Sequence, residues 1–582
     1  MAGIIANKFV RKTDKLDYSR SIFNYEKRHS TNLLSGMIVP VHTQFLYPGT
    51  SPDWNFGCVI ESAPLISTNL DNIYVDIISI WCPMRLVMTD WNEFLGESHT
   101  QAFTINRNIT IPKLTSFYVT TAANITPGGS RNSISRAYLA DNYLAPHLGY
   151  RKHADFDASA IQTGSIFKKG ISVIPSRIYE LNWNTFFRNE NVQAPILIDK
   201  TSVVGSHDAT YAEGLGHLQE ANKLKTWYSI ATPNPSLLDV SISMGELLPV
   251  VAGADHSVPA SSYIKWVNAD TGVAQANRVL GTDASGLGIA GSTSVGTNQG
   301  GTVPTNLWAD TAALTVNRMY YALMEQKFAN KMMKGRRAVE FYQNFFGVTD
   351  SEAGHDLPQL LCHKRFPLNI SQVIATGAGS NGSETTDLGQ RGAFSTTGFG
   401  DSLVKNFIAS EHGYIQTYLI IRGQPSLASG INHDLGIDSL LDTYIPEFDH
   451  IGPVGIDELE VTDATSALYF GFTNAWYAER NQVSDCVGII EPGQPLAYKT
   501  LAQDYNSNAP VVISDSFLRH DPRLIDRIFT FPVCYGNAGT SGFDGKGEEY
   551  LSNRYQFLCQ FVVKGKFAAV MSPDSEPLKL RL

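Results

Sequence analysis

One run of ten residues constrains this chain more than any other part of it. From Ile73 to Cys82 the side chains are β-branched, aromatic or otherwise apolar, with Asp76 and Ser79 the polar exceptions. The run is too short for a membrane helix, which needs about 20 residues. Its apolar side chains occupy both alternating positions of an extended backbone, so it reads as a strand covered on both faces within a layered β structure. Pro83 lacks an amide donor and ends the ladder. Asp90 followed by Glu93 has capping-box spacing and Gly96 suits a C-terminal cap, so a short helix is expected next.

Period-two alternation recurs far from this run. Met37, Val39, Val41 and Phe45 share one face with His42 and Gln44 on the other; Ile415, Leu419 and Ile421 alternate in mid-chain. Near the end, Tyr555, Phe557, Cys559, Phe561 and Val563 alternate with Gln556, Gln560 and Lys564. These read as half-buried antiparallel strands. A jelly roll brings strands from opposite ends of a long chain into the same two sheets, because its Greek-key connections tolerate long insertions. The expected fold is mainly β, an antiparallel jelly-roll core with long loop insertions and a few α-helices. No linker separates two independent hydrophobic patterns, so residues 33–582 are read as one such domain.

A chain with 43% hydrophobic and 11% aromatic residues buries a sizeable core. The charged fraction of 17% and net charge of −10 describe a surface of low charge density, which argues against nucleic-acid binding over the whole surface and for cover by partners. Its 48 Gly and 27 Pro imply many turns and long irregular excursions. Cys58, Cys82, Cys362, Cys486, Cys534 and Cys559 show no C-x-x-C spacing, so neither a zinc site nor a disulfide framework follows and most are expected to be buried free thiols. Residues 1–10 carry no signal-peptide core and no run is long enough for a membrane span; folding in a cytoplasm is expected.

Residues 1–32 form a basic stretch on an acidic chain, with Lys8, Arg11, Lys12, Lys15, Arg20, Lys27 and Arg28 against Asp14, Asp17 and Glu26. The plain reading is a solvated terminus; in a shell the same arm would neutralise phosphates on the inner wall without sequence preference. Residues 252–311 are rich in Ala, Gly, Ser and Thr, with Tyr263, Trp266 and Leu280 among the few large anchors, and read as a long exposed loop. Residues 312–347 carry helical periodicity, through Val316, Tyr320, Leu323, Phe328 and Met332, then Ala338, Phe341, Tyr342 and Phe345 after Gly335.

Catalytic motifs do not hold up. Gly377 to Gly382 matches G-x-G-x-x-G, but no amphipathic helix follows to aim its amides at a phosphate. Glu411 and His412 are adjacent at a strand start, where neighbouring side chains face opposite ways and cannot share a metal, so His412 is read as structural. No catalytic residue, metal site or cofactor is expected.

Several blocks carry a resemblance: Leu34 to Pro40 with Leu46-Tyr47-Pro48-Gly49; Leu70 to Glu97; Ile174 to Asn184 with Phe186 to Asn191; Phe345 to Thr349; Glu411 to Ile415; and Tyr555 through Met571. In this order the chain resembles the major capsid protein of the microviruses, small tailless single-stranded DNA bacteriophages, and its gokushovirus-like branch in particular. The run after Trp476 to Arg480 departs from the family, with Asn481 to Cys486 where a tyrosine- and arginine-rich stretch is usual. The resemblance implies a non-enzymatic coat protein, sixty copies in a T=1 shell around circular single-stranded DNA, with minor virion or scaffolding proteins and a host receptor as further partners and no membrane insertion. It also implies that the 252–311 insertion projects from the particle and faces the host. Two other readings are a β-rich glycan-binding protein or carbohydrate-active enzyme, suggested by 25 Tyr and 8 Trp, and a non-capsid phage spike.

Overall fold

The computed structural model describes most of residues 20–96, 171–205, 218–233, 356–368, 396–437, 453–505, 511–529 and 555–571, together with shorter stretches between them. The chain divides into two compact units, one formed by Met1–Pro235 with Arg337–Leu582 and the other by Ser236–Arg336. In the first, eight long strands carry the fold: β1 (Ser21–Leu33), β2 (Val39–Leu46), β3 (Ser51–Ser62), β4 (Ile73–Pro83), β5 (Gln359–Pro367), β6 (Thr396–Val404), β7 (Gly413–Gly423) and β8 (Phe557–Ala569). One sheet has the order β1-β8-β3-β6 and the other β5-β4-β7-β2, every pairing antiparallel. Successive strands alternate between sheets over much of the chain, and the first strand lies beside the last. That is the strand order of a jelly roll.

The two sheets meet through one apolar core. From the first come Trp54, Phe56, Cys58 and Ile60 of β3 with Phe557, Cys559, Phe561 and Val563 of β8; from the second come Val75 and Ile77 of β4 with Ile415, Leu419 and Ile421 of β7. Aromatic contacts cross the gap. Phe366 of β5 packs against Phe56 at 6.1 Å and stacks on Phe399 of β6 at 4.9 Å, while Phe56 stacks on Phe561 at 5.6 Å. At about 25 cal/mol per Å² of apolar area removed from water, each such ring contributes on the order of 2–3 kcal/mol.

The alternation expected of β8 holds from Phe557 onward, with Phe557, Cys559, Phe561 and Val563 buried and Leu558, Gln560 and Lys564 exposed; Gln556 departs from it and is buried, accepting from the Ser35 amide and donating to the Pro522 carbonyl and Asp526. β7 departs from expectation. It is buried along nearly its whole length, on both faces, because it sits between β4 and β2 and is roofed from outside. The roof includes the helix Ile174–Asn182, which the periodicity reading did not identify. Gly413 opens β7 where a side chain is excluded: a Cβ there would lie 2.5 Å from the Cys82 carbonyl oxygen and 2.6 Å from the Trp81 ring.

Three helices bear on the surfaces discussed next. α1 (Trp91–Leu95) ends at Gly96 in the left-handed conformation, as expected. The expected capping box does not form: Asp90 has φ −85° and ψ 18°, away from the extended geometry that aims a cap side chain at the first-turn amides, and makes no cap hydrogen bond. α2 (Ile174–Asn182) starts at Pro175, whose fixed φ suits a first turn, and runs into a wider π turn at Trp183–Phe187. Gln416 donates to the Pro175 carbonyl at 2.8 Å and Asn182 to the Tyr418 hydroxyl at 2.7 Å, which seats α2 on the outer face of β7. α3 (Ala338–Phe346) is the described part of the expected helical region that belongs to this unit.

In the Ser236–Arg336 unit the described elements are short. Arg278–Asp283 pairs with Gly286–Gly291, and Trp266–Val267 with Ala274–Gln275. The Gly377 to Gly382 motif contributes Gly379–Asn381, which pairs as a strand with Glu384–Thr386, so a strand stands where a phosphate-binding helix would have to begin.

Candidate assembly and nucleic-acid surfaces

The basic N-terminal stretch ends earlier than the sequence suggests. β1 begins at Ser21, and its thirteen residues pair in unbroken register with β8, from Ser21 opposite Ala569 to Leu33 opposite Phe557. Apolar residues at alternate positions drive this: Phe23 stacks on Phe567 at 5.3 Å and Tyr25 on Trp54 at 4.8 Å, so the strand gains a half-buried face. Of the seven basic residues, Lys27 donates to the Thr43 carbonyl of β2 at 2.8 Å, and Arg28 pairs with Glu26 at 2.8 Å. These two are engaged by β2 and by β1 itself. Lys564 adds a second cation beside Glu26 at 3.4 Å. Arg20 is exposed immediately before the strand, and Lys8, Arg11, Lys12 and Lys15 lie outside the described residues.

Trp266 lies on the two-residue strand pair and Leu280 on the Arg278–Asp283 strand opposite Ile289, both within the second unit. Tyr263 lies outside the described residues, as do Arg336 and Arg337.

Exposed apolar side chains mark surfaces suited to contact with other molecules. Phe346 at the end of α3 is 68% exposed, with Tyr342 and Val348 exposed beside it. Phe341 packs on Phe345 at 4.8 Å, which orders this helix face from within. Half-buried Phe341 and Phe345 and exposed Tyr342 and Phe346 on one short helix describe an amphipathic element.

Charged residues that the sequence reading passed over are organised in pairs. Asp76, fully buried on β4, accepts from Arg365 Nε at 2.6 Å and from Arg365 Nη2 at 3.1 Å; Arg422 of β7 reaches its second oxygen. Burial alone would raise the Asp76 carboxyl, but the bonds from Arg365 and the charge of Arg422 carry it below the usual carboxylate range. A lone acid inside a doubly covered strand was the available signal, since such a charge requires a partner. Arg177 of α2 is likewise fully buried against Asp208, at 2.9 and 2.7 Å, and also donates to the carbonyls of Thr201 and Val203. Glu411, singled out in the sequence, pairs with Arg85 at 3.0 Å, and Arg85 also holds Asp356 at 2.8 Å. His412 packs its ring among Phe45, Tyr47 and Trp91. Each of these is a structural clamp.

The cysteines behave as buried hydrophobes: Cys58, Cys82, Cys486 and Cys559 are buried, Cys362 is half-buried, and all five are free thiols. Burial pushes the Cys82 thiol up, away from the reactive thiolate. Cys534 lies outside the described residues. Among the described residues no group of three or more His, Cys, Asp or Glu is arranged to hold a metal ion, and no helix is long and apolar enough to cross a membrane.

Comparison with known proteins agrees with this architecture. The family described as capsid protein (F protein) matches residues 13–537. Capsid protein VP1 of Bdellovibrio phage phiMH2K is 24% identical over 483 residues, covering 81% of this chain and 82% of its own length. Capsid protein VP1 of Spiroplasma virus 4 is 23% identical over 516 residues, covering 84% and 86%. Capsid protein VP1 of Chlamydia phage 1 is 21% identical over 604 aligned positions, covering 91% and 94%.

Proposed function

The chain belongs to the phage capsid protein (F protein) family and is a major capsid protein of the virion, and we propose that it closes into a T=1 shell of sixty copies around a circular single-stranded DNA genome. The observation that carries this reading is the coincidence of the family match over residues 13–537 with a two-sheet jelly-roll order. A jelly roll is a stiff wedge whose loops supply the contacts. Closed symmetry multiplies modest interfaces, so no single contact need be strong.

Within that shell the basic residues ahead of β1 face the genome. Lys8, Arg11, Lys12, Lys15 and Arg20 take this role, while Lys27 and Arg28 are occupied by Thr43 and Glu26 and serve the wall. The 252–311 insertion, with Tyr263, Trp266 and Leu280, faces outward toward the host receptor. Minor virion or scaffolding proteins assist assembly in the bacterial cytoplasm. The exposed face of α3 is a contact between copies.

Electron microscopy with sedimentation of the full chain, co-expressed with the scaffold proteins of its phage, tests the reading. Uniform small icosahedral shells are expected; only monomers or trimers with scaffold demonstrably present would refute it and point to a spike. Deleting residues 252–311 is expected to spare the particles and reduce adsorption to host cells. Particles failing to form after that deletion would refute the placement of the loop.

A further inference from the structure

β1 is the edge strand of its sheet, hydrogen-bonded along one side only, to β8. What holds its inner face is a cluster of titratable rings. The Tyr25 hydroxyl lies 2.8 Å from His42 Nε2 of β2 and 3.1 Å from the Gln44 Oε1 that accepts its proton. Tyr25 has one proton to give. With that proton on Gln44, the hydroxyl accepts from His42 Nε2–H, and the imidazole is the neutral tautomer with a bare Nδ1. Nδ1 is buried and, among the described residues, has no hydrogen-bond partner. The His42 side chain is enclosed by the Trp54 ring of β3 at 5.2 Å, edge-on, and by the Tyr25 ring at 5.7 Å.

Further along the strand, a histidine of β1 meets one from elsewhere in the chain. His29 of β1 stands 5.9 Å, ring to ring, from buried His147, whose Nδ1 is 3.4 Å from the Thr31 hydroxyl. The groups that bear on His42 are Tyr25, Lys27 and His29 of β1, Gln44 of its own strand, Trp54 of β3 and Thr417 opposite it on β7. None is a carboxylate. Burial first, and the positive charge of Lys27 and His29 after it, hold the His42 imidazole neutral well below the ordinary histidine range.

We propose that β1 is an acid-labile latch: a proton on His42 leaves a buried, unpaired cation under the strand, and β1 with everything N-terminal to it detaches from the shell wall. The sign follows from linkage. His42 binds a proton more weakly when β1 is docked than when it is free, so the docked state is favoured above the free-histidine value of about 6.5 and loses ground as pH falls below it. One proton taken up on release raises the detached population up to about tenfold per pH unit. Detachment leaves β8 still paired to β3, so the remaining sandwich has no reason to open with it. Freed in this way, the strand takes the basic segment ahead of it along, which would couple acidification to release of nucleic acid if that segment holds the genome as proposed above.

The test is amide hydrogen exchange on the unassembled full chain between pH 7.5 and 4.5, read by mass spectrometry of peptides and corrected for the intrinsic pH dependence of exchange. Exchange in residues 21–33 is expected to rise by one to two orders of magnitude while peptides from β3 and β7 stay protected. His42→Gln keeps a hydrogen-bonding group and removes the proton site; in it the response is expected to be lost. Lys27→Gln removes a like charge that faces His42 together with the bond to the Thr43 carbonyl, so β1 is held less firmly already at pH 7.5 and the further rise in exchange on acidification is expected to be smaller than in wild type. This exposed position keeps the question decidable should His42→Gln fail to fold. Unchanged protection of residues 21–33 overturns the proposal, as does their opening together with β3 and β7, a wild-type response in His42→Gln, or an acid-driven rise in Lys27→Gln as large as that of wild type.

Discussion

Replacing Asp76 by Asn removes one charge from the middle of the second sheet and leaves its partners in place. Asp76 is fully buried, Arg422 is 14% exposed and Arg365 is 42% exposed. Breaking a buried pair by removing one partner costs about 3–5 kcal/mol, since the other charge is left uncompensated. Water screens Arg365, so its share is discounted toward the 0–1 kcal/mol of surface pairs. The larger share falls on Arg422, which also donates to the Asn222 carbonyl and cannot leave without breaking that bond. The expected loss is about 3 kcal/mol. Urea unfolding of the unassembled chain, followed by tryptophan fluorescence at pH 7, reads it directly. Arg422→Met should cost more than Arg365→Met, and a double-mutant cycle assigns each coupling to Asp76. The carboxyl is held below its ordinary value of 3.8, so its contribution is complete above that pH and disappears as pH falls through the depressed folded value. The difference between wild type and Asp76→Asn should therefore close in acid. An Asp76→Asn variant within about 0.5 kcal/mol of wild type at pH 7, the ordinary range for surface substitutions, would show that the two arginines are satisfied without it.

Gly413→Ala should destabilise by about 1–3 kcal/mol, because its Cβ meets the Cys82 backbone and the Trp81 ring in a strand with no room to move; urea unfolding measures it. Phe561→Ala, at the stacked contact with Phe56, should cost about 3–5 kcal/mol in the same assay. Phe346→Asp, on the exposed face of α3, should leave unfolding within about 0.5 kcal/mol of wild type and lower the yield of closed particles by sedimentation. Deleting residues 1–20 should reduce the dependence of single-stranded DNA binding on salt by a slope of about 3.5, the loss of five phosphate contacts; an unchanged slope would place the DNA surface elsewhere.

The strands with clear patterns were legible from residues alone. Ile73 to Cys82 is apolar in both registers and became the doubly covered β4; Phe557 to Val563 alternates and became the half-exposed β8. Both patterns are local consequences of which faces must leave water. The short helix at Trp91 was legible from Gly96, which takes the left-handed turn that ends it, while the Asp90 cap fails because the backbone there is not extended and the side chain reaches no first-turn amide. The extent of the basic arm was misread at one end: Lys27 and Arg28 look like arm residues, yet Phe23 and Tyr25 between them supply enough apolar surface to pin a strand once β8 and Trp54 are present.

What the sequence determined by itself is the set of parts: a mainly β chain, with strands at both ends, few charges and dispersed cysteines. Tertiary structure alone decided how the parts meet. Strand order, the roof that α2 places over β7, the Asp76 clamp and the ring cluster under β1 each join residues far apart in the chain. Backbone hydrogen bonds carry no side-chain identity, so pairing partners leave no local trace. They are selected by the arrangement that buries the facing sides of both sheets and pairs the buried charges of Asp76 and Arg177.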